Sequence, residues 1–134
     1  MQPHFMRAVL LEALAGTALG IFLGLIGGFF LPWLAQNVGE GPGDPYLMAS
    51  SVLGVLGGFV LGAAGGIYTM GQALGQTGAW WSTLLGSLLG AVLVAVPMNM
   101  IVVQLNAELP FLTMSGLVGG GTLLLALVGY HRTW

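Results

Sequence analysis

The chain has 134 residues, of which 57% are hydrophobic and 4% are charged, with a formal net charge of -2 at pH 7. Soluble domains contain about 25% charged residues, so the composition excludes an ordinary water-soluble fold and indicates an integral membrane protein. Two basic residues and no cysteine give no basic surface for nucleic acid and no thiolate ligand for a metal.

Four apolar segments follow one another, at about residues 8–31, 47–70, 79–103 and 111–130. Each has the roughly 20 residues that a helix needs to cross a hydrocarbon core of about 30 Å. The segments between them are rich in Gly, Pro, Asn and Gln, which is typical of turns. Because short connections place successive helices side by side and antiparallel, we expect an all-α bundle of four transmembrane helices. We expect it to form a single domain, residues 1–134.

Glycine recurs at every fourth residue in the first two predicted helices, and a shorter row follows in the third. No hydrophobic force joins helices inside a bilayer, so contact depends on small residues that let two backbones approach closely. These GlyxxxGly rows, a glycine zipper, therefore predict tight packing of the first helix against the second, with a right-handed crossing. The predicted helix-packing residues are Gly16, Gly20, Gly24, Gly28, Gly54, Gly58, Gly62, Gly66, Gly86 and Gly90.

The second predicted helix contains further glycines outside its row. Gly57 and Gly65 open a second face on this helix. Two interpretations stay open for that face: ordinary packing inside the bundle, and an interface with another protein or another copy of the chain.

Glu12 is the acidic residue that falls inside a predicted span. An ionisable side chain within a membrane is costly and is a candidate functional group. It also lies one or two turns after Arg7, near a helix N-terminus that favours negative charge. The alternatives are an anchoring role beside Arg7, a proton or cation site, and a salt bridge to a partner subunit.

Asn99 is the second candidate intramembrane polar residue. It follows Pro97, which removes a backbone donor from the third helix and leaves a carbonyl without its usual partner. The Asn99 side chain offers a replacement donor, so we expect a structural role at a kink; a broken helix that grips a ligand is the second alternative.

His4 lies before the first predicted helix and His131 follows the last one. We interpret both as polar flanks and not as ligands of a metal or pigment. The chain has no paired carboxylates, no Ser/His/Asp set and no phosphate-binding loop, so we predict no catalytic residue, no cofactor and no enzyme. The sequence leaves a bound lipid or pigment open.

The positions of basic and aromatic residues predict orientation and depth. Arg7 and Arg132 flank the two ends of the chain, and basic residues favour the cytoplasmic side. We therefore expect both termini in the cytoplasm, most naturally at a bacterial inner (cytoplasmic) membrane. Trp and Tyr prefer the headgroup region, and all of them, Tyr130 included, lie near predicted helix ends.

These features favour a non-enzymatic accessory or scaffold subunit that packs within a larger membrane protein complex, for which a respiratory or photosynthetic complex is a natural host. Its expected partners are the lipid bilayer and other integral membrane proteins or further copies of the chain, with no nucleic acid. The alternative is a small oligomeric transporter or channel in which Glu12 is the intramembrane polar site.

Overall fold

The protein is described by a computed structural model that covers residues 3–37, 45–105 and 111–131. These residues form four α-helices, α1 (Pro3–Asn37), α2 (Pro45–Ala73), α3 (Trp80–Leu105) and α4 (Phe111–His131). All four are long and apolar enough to cross a membrane, which suits a lipid environment because a helix satisfies its backbone hydrogen bonds internally. The all-α class and the four candidate membrane spans are therefore confirmed.

Helix α1 is longer than a membrane span requires. Its 35 residues extend over about 50 Å at 1.5 Å per residue, whereas the hydrocarbon core is about 30 Å thick. Even a tilt of about 40° leaves the helix longer than that core. At least one end of α1 therefore reaches beyond the hydrocarbon.

Helix α2 ends in a glycine-dependent turn. Gly75 has a φ of 74°, a left-handed conformation that glycine adopts without steric cost. The amide of Gln76 donates to the Gly71 carbonyl at 2.9 Å, and the amide of Gly75 donates to the Gln72 carbonyl at 3.0 Å. This is the Schellman pattern, which satisfies carbonyls at a helix C-terminus and turns the chain sharply toward α3.

The helices pack as two pairs. α1 packs mainly against α2, and α3 packs mainly against α4. The two pairs meet around a small buried core made by Ile67, Ala126 and Tyr130. A hydrogen bond also joins them, because the Ser87 hydroxyl on α3 donates to the Val60 carbonyl on α2 at 3.1 Å.

The four row glycines of α2 lie directly against the backbone of α1. A Cβ atom added at any of them would overlap main-chain atoms of α1, so each contact requires the absence of a side chain. Gly54 lies against Gly27, Gly58 against Leu23 and Gly24, Gly62 against Leu19 and Gly20, and Gly66 against Ala15 and Gly16.

Glycines make similar contacts between α3 and α4. A Cβ at Gly86 would overlap the backbone of Leu125, and one at Gly90 would overlap that of Gly121. In the reverse direction, a Cβ at Gly129 of α4 would overlap the backbone of Ser82 in α3. Both helix pairs are therefore closest where a side chain is missing.

Adjacent glycines of α2 give a matched test of these contacts. We expect Gly58→Ala to destabilise the protein by about 1–3 kcal/mol, because the added methyl group has no room against Leu23 and overpacking costs this much. Gly57→Ala should stay within about 0.5 kcal/mol of the parent, since no described atom lies within 4 Å of a Cβ at Gly57. Equilibrium unfolding in detergent micelles measures both, and equal losses in the two variants would contradict the contact.

Candidate functional site

Four polar side chains are completely buried among the described residues: Glu12, Thr83, Ser87 and Thr122. The two threonine hydroxyls donate to main-chain carbonyls four residues earlier, Thr83 to Ala79 at 2.9 Å and Thr122 to Val118 at 2.7 Å. Ser87 bonds across to α2, as described above. These hydroxyls are paired within the structure, which leaves the Glu12 carboxyl group as the chemically reactive member of the set.

Glu12 and His131 join the first and last helices. The Oε2 atom of Glu12 lies 2.8 Å from Nε2 of His131. The Glu12 side chain has no exposed surface, whereas the His131 side chain is 24% exposed. The start of α1 and the end of α4 therefore meet at a pair of titratable groups, one of which is open to the surroundings.

The second oxygen of the carboxyl group is left without a partner. Glu12 Oε1 is buried and has no hydrogen-bond partner among the described residues. A buried polar oxygen without a hydrogen-bond partner costs free energy, and the cost is larger for a charged group. The Glu12 carboxyl group is therefore buried with Oε2 paired to His131 and Oε1 unpaired among the described residues.

Aromatic rings enclose the histidine side of the pair. The Phe5 ring centroid lies 5.5 Å from that of His131, and the Tyr130 ring packs edge-on against His131 at 5.2 Å. Such aromatic contacts favour fixed ring orientations. The imidazole is thus held with Nε2 directed at Glu12.

Tyr130 connects this pair to the turn between α2 and α3. Its hydroxyl donates to the Gln76 carbonyl at 3.1 Å, and its ring fills the space that side chains at Gly71 and Gly78 would need. We predicted Tyr130 at the headgroup level, as for the other Trp and Tyr residues. Tyr130 is 1% exposed and belongs to the core, because these glycines leave a cleft for its ring; its depth in a membrane stays a prediction.

The sequence suggested Arg7 as the neighbour of Glu12, but Arg7 is exposed and the ion-pair partner found in the described part of the chain is His131. His131 was interpreted only as a polar flank. A signal in the sequence was the even number of predicted crossings, which places the start of α1 and the end of α4 on the same side.

The side chain of Asn99 falls outside the described part, so its polar role stays a prediction.

Within residues 3–37, 45–105 and 111–131, there is no group of three or more His, Cys, Asp or Glu side chains that could hold a metal ion.

Comparison of the chain with protein-family models, with curated proteins and with solved structures finds no match. The function therefore has to be inferred from the chain's own geometry.

A double-mutant cycle tests whether Glu12 and His131 stabilise the bundle together. We expect Glu12→Ala and His131→Ala each to destabilise the protein, and the double variant to lose less than the sum. The coupling should be about 0.5–3 kcal/mol, the range for residues in direct contact. His4→Ala is the matched control, because His4 is an exposed histidine of α1. Strictly additive losses would show that the two side chains do not interact.

Proposed function

We propose that this protein is a non-enzymatic integral membrane subunit that packs within a larger membrane protein complex. The observation that carries the proposal is a glycine face on α2 that the described helices leave uncovered. A Cβ at Gly57 or Gly65 would meet no described atom within 4 Å. These positions are eight residues apart and lie within about 80° of each other around the helix.

The contrast with the neighbouring row explains why this face favours a partner. Gly54, Gly58, Gly62 and Gly66 each lie against the backbone of α1. Small residues are selected in membrane helices chiefly where another helix approaches. The row glycines already meet this requirement inside the bundle. Gly57 and Gly65 are therefore positions on α2 where a helix of another protein would fit.

For the bundle itself, we propose antiparallel packing through the glycine rows. The contacts between α1 and α2 support it, since Gly27 neighbours Gly54 whereas Gly16 neighbours Gly66. Positions that advance along α2 thus retreat along α1. The same reversal holds between α3 and α4, where Ser82 neighbours Gly129 and Gly90 neighbours Gly121.

We further propose that both termini lie on the cytoplasmic side of a bacterial inner membrane. The contact between Glu12 and His131 supports a shared side, because it brings the two ends of the chain together. Arg7 near one end, and Arg132 in the sequence beyond the described residues, favour the cytoplasm by the positive-inside rule.

A second candidate function is a small transporter or channel built from several copies of this chain. It is favoured by the buried Glu12 carboxyl group with its unpartnered oxygen, since intramembrane ionisable groups mark ion and proton pathways. In that case a helix of one copy would pack against the Gly57 and Gly65 face of another copy.

Native gel electrophoresis of membranes from cells that naturally produce the chain tests the proposal. We expect the chain to co-migrate with other membrane proteins in fixed ratio after extraction in mild detergent. Gly57→Leu combined with Gly65→Leu should abolish co-migration while helix content stays unchanged, because both positions are open in the bundle.

Ala18→Leu is the matched control, since it adds a similar bulk at an exposed position of α1 and should leave co-migration intact. A chain that migrates alone, or partners that survive both glycine substitutions, would contradict the subunit proposal. A complex made only of copies of this chain would favour the transporter instead.

A further inference from the structure

We propose that Glu12 and His131 form a proton-binding site in which Glu12 is a neutral carboxylic acid that donates its proton to His131. The proposal is independent of the subunit function. Its ligand is a single proton, held between Glu12 Oε2 and His131 Nε2, which lie 2.8 Å apart.

The surroundings of the two carboxyl oxygens favour the neutral form. In an ion pair, negative charge would be shared by Oε2 and by Oε1, which is buried and lacks a hydrogen-bond partner in the described structure. The desolvation cost of a buried ion pair is recovered only when its remaining hydrogen-bonding sites are also satisfied. In the neutral form Oε1 is a carbonyl oxygen, and an unpaired carbonyl costs much less than an unpaired carboxylate.

The geometry gives each atom a defined role. The Oε2–H group of Glu12 donates to Nε2, so Nε2 is the unprotonated nitrogen of a neutral imidazole and Nδ1 carries the ring proton. The two Glu12 oxygens have no contact with solvent, because the side chain is completely buried, whereas the His131 side chain is 24% exposed. We therefore expect protons to enter and leave through the imidazole.

Among the described residues, no ion pair other than that with His131 involves Glu12. Arg7 is exposed on α1, and the Tyr130 hydroxyl donates to the Gln76 carbonyl. The sequence of α3 contains no titratable residue. Apart from Glu12 and His131 themselves, the described titratable groups on the elements packed around the pair are His4 and Arg7 on α1, Tyr68 on α2 and Tyr130 on α4.

Infrared difference spectroscopy of the full chain in lipid bilayers at neutral pH tests the assignment. Subtracting the Glu12→Gln spectrum from that of the parent should leave the carbonyl stretching band of a protonated carboxyl group. The carboxylates of Glu40, Asp44 and Glu108 are common to both samples and cancel. In heavy water the band should shift as the proton exchanges through His131.

His131→Phe is the second variant, because it keeps a ring in the aromatic enclosure and removes the acceptor. The carboxylic acid band should persist and move to higher frequency, since the acid loses its hydrogen-bond acceptor. Should either variant fail to fold, nitrogen-15 NMR of the parent decides the question, with one protonated ring nitrogen expected at His131.

Two results would overturn the proposal. The first is a parent spectrum without a Glu12-dependent carboxylic acid band, together with a His131 ring protonated on both nitrogens, which is the signature of an ion pair. The second is a band that does not shift in heavy water, which would show that the proton has no route through His131.

Discussion

The close approach of helix backbones is the physical constraint on which this structure depends. Lipid chains are as apolar as leucine, so burying apolar side chains between helices yields little free energy inside a bilayer, and association relies on packing and hydrogen bonds. Gly58 and Gly62 of α2 lie against main-chain atoms of α1, a distance at which dispersion acts over many atom pairs. Larger residues would force the helices apart and remove those contacts.

Close packing also creates the polar site. With the helices held together, the start of α1 and the end of α4 meet, and Glu12 loses all contact with solvent while His131 keeps part of its surface. Tyr130 fits between Gly71 and Gly78, which ties the same end of the bundle to the turn after α2. Glycine thus has two roles in this chain: it brings helices into contact, and it leaves a cleft for an aromatic ring beside the buried acid.

The helices were predictable from sequence because long apolar segments separated by Gly, Pro and Asn leave few alternatives in a membrane. The spacing of the glycines predicted close helix packing, and the second face at Gly57 and Gly65 was predicted as a surplus. Gly27, Gly71, Gly78 and Gly129 also have close neighbours but lie outside the predicted set, because their contacts depend on how the helices and the turn meet. The partner of Glu12 was not found, since the sequence favoured the nearby Arg7 and the contact with His131 depends on how the first and last helices meet. The burial of Tyr130 was not predicted for a related reason, because position near a helix end does not reveal a cleft formed by two glycines of another segment.

Disulfide cross-linking measures the proposed register of α1 and α2 most directly, and the chain has no cysteine of its own to interfere. A Cβ at Gly28 would lie 3.9 Å from that of Val55, within the range of about 3.5–4.5 Å for a disulfide. Gly28→Cys with Val55→Cys should therefore cross-link readily on oxidation in the membrane. Gly20→Cys with Val55→Cys should not, because Gly20 is about 12 Å further along α1. Equal cross-linking of both pairs, or none with Gly28, would contradict packing of α1 and α2 through their glycine rows.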